Sequence, residues 1–124
     1  MPVAQFLKLA RDQVEHALAI DPKALSGSAY TSLGSLYYQV PGWPIGFGDD
    51  KKAREMLEAA LKLNPDGIDP NYFYGDLLVE TKHPDEAVTY LERAQQAPLR
   101  AGRQIADVGR RDEIRALLEK IKSH

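Results

Sequence analysis

The chain has no cysteine, which excludes disulfides and cysteine-ligated metals and leaves the redox compartment open. It also lacks a long apolar run, and nothing in it approaches the roughly 20 residues that a membrane-spanning helix needs. Charge of one sign is scarce too: a net −2 over 124 residues argues against generic adhesion to nucleic acid or to a membrane surface. No cleavable leader is visible, because Met1-Pro2 runs straight into Val3, Phe6, Leu7, Ala10, Val14 and Leu18, the spacing of an amphipathic helix. The three histidines, His16, His83 and His124, are scattered over a helix, a turn and the terminus, with no metal-ligand spacing and no nucleophile partner. Asp76 and Glu80 share a helix face four apart, but two carboxylates without a third group do not make a metal site. The sequence therefore nominates no catalytic residue, no metal ligand and no cofactor. Its length suits one domain with a modest core.

What the chain does have is an internal repeat. Ala10, Val14, Ala17 and Pro22 are spaced four, three and five apart, and Ala53, Leu57, Ala60 and Pro65 repeat that spacing. Ala87, Leu91 and Ala94 follow it again, with Pro98 one residue early. The alanine phase advances by 43 residues and then by 34. A period of about 34 residues is that of a helix–turn–helix repeat unit. Residues four and three apart lie on one helix face, small alanines let a neighbouring helix approach closely, and the proline ends the helix.

The helix before each alanine segment adds Leu33-Gly34 with Tyr37, then Tyr74-Gly75 with Leu78. Glycine costs about 1 kcal/mol in a helix interior, so two at equivalent points indicate tight crossings where no side chain fits. With these residues in place, roughly residues 5 to 98 resemble the tetratricopeptide repeat family. The resemblance implies an all-α solenoid of helix pairs, about six helices here, whose concave face usually binds peptides or proteins. The chain is also similar to a group of bacterial tetratricopeptide proteins that carry the insertion standing here from Pro41 to Asp49. Some of those resemble repeat subunits associated with periplasmic solute transporters, which implies an exported domain docking on a solute-binding protein as an alternative to a general interaction module.

The expected organisation is a single tetratricopeptide-like domain over 1–124. Residues 1–22 form the second helix of an incomplete repeat, 27–65 a repeat with an inserted loop at 41–48, 68–98 a further repeat, and 99–124 a loop and a capping helix. Helices are predicted over about 3–20, 27–40 with Ser26 or Ser28 as its cap, 49–63, the stretch around Pro70 up to 81, 84–97 and 110–122, with 98–106 as loop. Nothing precedes 1–22 to pair with it, and Val3, Phe6 and Leu7 do not make a polar cap. Either the chain is a piece of a longer protein, or a partner or a second copy covers that helix. The compartment stays undetermined between cytoplasmic and, with a leader outside this chain, periplasmic.

Two segments are candidates for binding. The loop 41–48 lengthens the Tyr37-to-Ala53 interval by seven residues and combines the only Trp with two prolines and three glycines. It reads either as a plug, with Trp43 and Phe47 packed on the repeat's edge, or as a lip that presents Trp43 and Phe47 to a partner. The resemblance places Ser28, Thr31, Ser35 and Tyr38, then Asp69, Tyr72, Asp76 and Glu80, on the concave face. The second set is an acidic stripe containing an aromatic, suited to a basic peptide, or else a solvated face. From Asp66 to Glu92 seven acidic residues face only Lys82, whereas from Arg100 onward there are seven basic and four acidic residues. Nucleic-acid binding by that tail would need interleaved aromatics, which it lacks, and a cap helix meeting the acidic face explains the asymmetry more simply. The functional expectation is a non-enzymatic module that captures a protein or peptide segment, with self-assembly through the N-terminal helix as the structural alternative.

Overall fold

A computed structural model describes residues 2–21, 23 and 27–123. The expected stop at Pro22, the Ser26 cap and His124 lie outside the described residues. Six α-helices follow one another: α1 (Val3–Ile20), α2 (Ser28–Gln39), α3 (Asp50–Leu63), α4 (Ile68–Glu80), α5 (Pro84–Gln96) and α6 (Gln104–Lys122). The described residues contain no strand, only an isolated bridge between Gly42 and Gly48. The chain forms two compact units, 1–64 and 65–124. The first holds α1 packed on α2 and α2 on α3, and the second holds α4 on α5 with α6 against both.

Each unit is organised around one crossing. Ala53, Leu57 and Ala60 of α3 are buried, and Leu57 lies on Gly34 of α2, where an added Cβ would stand 2.7 Å from its Cγ. Ala87, Leu91 and Ala94 of α5 are buried in the same way, and a Cβ on Gly75 of α4 would stand 2.7 Å from Leu91 Cδ2. A glycine in each helix interior is thus the condition for its partner leucine to be buried, and full burial of a leucine is worth roughly 1.5–3 kcal/mol. Around these crossings Leu33 and Tyr37, and in the second unit Tyr74, Leu77, Leu78, Ile114 and Leu118, complete the cores. Tyr74 meets Tyr90 edge-on with centroids 4.6 Å apart.

Local chemistry sets the helix ends. The Asp49 carboxylate accepts from the backbone N–H groups of Lys51 (3.0 Å) and Lys52 (3.1 Å), a side-chain cap at the positive end of α3. Pro84 opens α5, where a missing N–H costs nothing. Asn71, fully buried, donates through Nδ2 to the carbonyls of Pro65 (2.9 Å) and Gly67 (2.8 Å), fastening the turn to α4. Arg111 Nη2 donates to Ala97 O at 2.6 Å beyond the C-terminal end of α5, where a cation is favoured.

Three sequence expectations change. Ser28 does not cap α2: Gly27 takes that place in a left-handed conformation (φ 89°), and Ser28 is the first helical residue. Thr31 does not line an open face. It is buried, because it stands three residues before Gly34 on the stripe that meets α3, and its Oγ1 donates to Gly27 O at 3.4 Å. The last helix begins at Gln104 rather than near Arg110. Its apolar spacing starts only at Ile114, so hydrophobic periodicity misses the first turns, which charge contacts hold instead.

Candidate functional site

The acidic stripe lies on α4 in the second unit, and α6 has met much of it. Arg100, in the connection before α6, donates from its backbone N–H to Asp107 Oδ2 (2.8 Å) and from Nε and Nη2 to the same carboxylate. Asp107 is completely buried, and the Arg100 hydrogen bonds hold its pKa down at about 2 against the opposing effect of burial. Arg100 Nη2 also reaches Asp69 Oδ2 (3.3 Å), and Arg110 Nε reaches Asp69 Oδ1 (3.1 Å), so two arginines share Asp69. The guanidinium of Arg110 stands 4.7 Å from the ring centroid of Tyr72 and 4.8 Å from that of Phe73, and it also pairs with Glu113. Tyr72 donates a long hydrogen bond (3.4 Å) to Glu113 Oε2, and burial, followed by the Asp76 and Glu113 carboxylates, pushes its phenol up to about 12.

Of the four stripe residues, Asp69 and Tyr72 are therefore engaged by a basic helix of the same unit. Asp76 is half-buried, and Glu80 is exposed at the end of α4. Tyr38, half-buried, belongs to the first unit.

The inserted loop presents the opposite situation. Its backbone closes on itself: Gly48 N–H donates to Pro41 O (2.8 Å), Ile45 and Gly46 N–H both donate to Gly42 O (3.1 Å), and Asp49 N–H donates to Tyr37 O (2.8 Å). Gly48 passes so close to residue 40 that a Cβ there would strike the Val40 carbonyl. The Trp43–Pro44 peptide is cis.

Phe47 turns inward and splits the two loop readings. It meets Tyr37 edge-on at 5.7 Å, and the Arg11 guanidinium stacks on it at 4.5 Å from the centroid. Tyr37 in turn donates to Glu15 Oε1 (2.6 Å), and burial together with that carboxylate pushes its phenol up to about 12. These contacts tie α1, α2 and the loop together. Trp43 and Ile45 take no part and remain 90% and 78% exposed. Between them and α1 lies an open groove of about 410 Å³ lined by Gln5, Lys8 and Arg11 on one side and Trp43 to Phe47 on the other.

A third surface is the outer side of α1. Val3 and Phe6 are 74% and 64% exposed, and Ala17 is exposed although its repeat equivalents Ala60 and Ala94 are buried. Sequence reasoning missed the Lys8–Arg11 side of the groove, because nothing in the spacing of α1 shows that the loop folds back beside it.

Among the described residues, no group of three or more His, Asp or Glu side chains could hold a metal ion. No described helix is long and apolar enough to cross a membrane. His16 is exposed, and His83 Nδ1 lies 3.3 Å from Thr81 Oγ1 within its turn.

A chain whose described residues form six helices, with α2 on α3 and α4 on α5 crossing at glycines, is of the helical-repeat class. Residues 45–100 match the family described as tetratricopeptide repeat, and the helical fold is tetratricopeptide-like. Such repeats are in general protein–protein interaction modules and typically non-enzymatic. A comparison with curated proteins gives no match.

Proposed function

We propose that this protein docks a protein partner at the lip formed by Trp43, Pro44 and Ile45 beside α1. The observation that carries the reading is the division of labour within the loop. Phe47 and the glycines satisfy the packing and the close backbone approach, while Trp43 and Ile45 stay in water at a hydrophobic cost that the fold does not recover. A tryptophan in such a place fits a binding anchor, since partner burial would recover that cost and Trp is enriched at binding hot spots. Phe47 supports the lip from below, and Tyr38 is left outside it.

The acidic stripe is the weaker surface for a basic partner, because Arg100 and Arg110 already occupy Asp69, and Arg110 covers Tyr72. A basic segment would have to displace two arginines of the same unit to reach them. With Asp69 and Tyr72 engaged, the target is smaller than the four-residue stripe that the sequence suggests.

The test is cross-linking and capture from a lysate of the source cells with wild type beside Trp43→Ala and Asp76→Ala, followed by identification of the captured proteins. The lip reading expects partners to be lost with Trp43→Ala and kept with Asp76→Ala. The reverse pattern transfers the function to the stripe. Retention by both variants removes the lip as the docking surface.

A further inference from the structure

The groove beside the lip has a sign as well as a shape. Among the described residues, its charged lining is Lys8 and Arg11, both cationic and one helical turn apart, with no carboxylate. Arg11 is fixed by its stack on Phe47 and its pair with Asp12 (3.0 Å). Lys8 is exposed and makes no ion pair among the described residues. Facing these cations stand the exposed faces of Trp43, Pro44 and Ile45. The opening thus combines an apolar wall with an exposed ammonium opposite it.

Resting on the reading that the lip docks a protein, we propose that its occupant is an acidic peptide segment carrying a bulky apolar side chain. The apolar side chain would lie against Trp43 and Ile45, and a carboxylate one or two residues away would pair with Lys8. Charge complementarity selects this occupant over a basic one, for which Lys8 and Arg11 would be like charges placed against it. The whole chain is weakly acidic at net −2, so its overall field does not attract acidic segments, and the selection must come from this local pair. The sequence-level expectation of a basic partner belongs to the acidic stripe, which α6 engages.

The chain carries its own reporter, because Trp43 is the only tryptophan and stands at the lip. At 90% exposure its emission in the free protein should be that of a solvated indole, and burial under a ligand would shift it to shorter wavelength. The experiment titrates the full chain with three capped synthetic peptides: EELFEE, its charge reversal KKLFKK, and EEAAEE without the apolar pair. We expect a saturable blue shift with EELFEE alone. Lys8→Glu should weaken it by about tenfold or more, the scale of one lost charge pair. Added salt should weaken it further, since the pair is exposed.

An equal response to KKLFKK overturns the acidic occupant while leaving a peptide-docking lip. A shift that appears on raising protein concentration without peptide puts a second copy in the groove and also overturns the proposal. If no peptide moves the emission, the acidic occupant falls. If Trp43→Ala nevertheless loses captured partners, the lip reading stands without it.

Discussion

Two aromatic, charged surfaces stand in this protein, one in each unit, and they differ in what covers them. On α4, Tyr72 lies under Arg110 and Asp69 is divided between Arg100 and Arg110. On the loop of the first unit, Trp43 projects into solvent beside Lys8. In the sequence they look alike: an aromatic among residues of strong character, placed where the repeat pattern leaves a helix face or a loop free. The tertiary structure separates them through one element, α6, whose basic residues supply the charges that the acidic stripe lacks. An acidic run followed by a basic one in a small domain can thus record an internal contact rather than two external ligands.

The largest effect should come from the charge contact that anchors the start of α6. Asp107→Asn removes an ionised group from a fully buried position and weakens its bonds to Arg100, at a cost of about 2 kcal/mol at neutral pH. The Asp107 pKa is lowered on folding, from 3.8 to about 2. A group with a depressed folded pKa stabilises above its unfolded value and loses that contribution as pH falls through the folded one. Urea unfolding of wild type and variant should therefore differ most above pH 4 and converge towards pH 2. A difference that stays constant across that window would dissociate α6 from the Asp107 charge.

A smaller effect separates closed contacts from open ones at the glycines. Gly75→Ala places a Cβ 2.7 Å from Leu91, and the resulting overpacking, at about 1–3 kcal/mol, exceeds the roughly 1 kcal/mol gained in helix propensity. Gly109 in α6 has nothing within 4 Å of where a Cβ would stand, so Gly109→Ala should stabilise by up to about 1 kcal/mol. Thermal melts of the two variants should move in opposite directions. Two shifts of the same sign would contradict the crossing at Gly75.

The smallest effect is expected at the lip itself. Trp43→Ala and Ile45→Ala should change stability by no more than about 0.5 kcal/mol, as for surface positions outside the packed structure. Phe47→Ala in the same loop should cost clearly more, because it loses its contacts with Tyr37 and Arg11. If Trp43→Ala melts as early as Phe47→Ala, the tryptophan is a structural plug after all.

The sequence by itself determined the repeat. Alanine, leucine and alanine at four and three define a helix face, a glycine on the preceding helix marks its crossing, and prolines and aspartates punctuate the ends. Those are local rules with a period, so Gly34 and Gly75 were legible as crossings before any partner was known. Sequence reasoning placed the start of α6 six residues late, because charge rather than apolar spacing holds its first turns. Only the tertiary structure decided which surfaces remain open. Whether Asp69 is free or shared by two arginines depends on contacts 31 and 41 residues apart along the chain. Whether Trp43 or Phe47 turns inward depends on Tyr37 and Arg11, which approach the loop from two different helices. Helix faces are set by the backbone's own period, whereas the covering of a face depends on distant side chains meeting it, and no local spacing encodes that meeting.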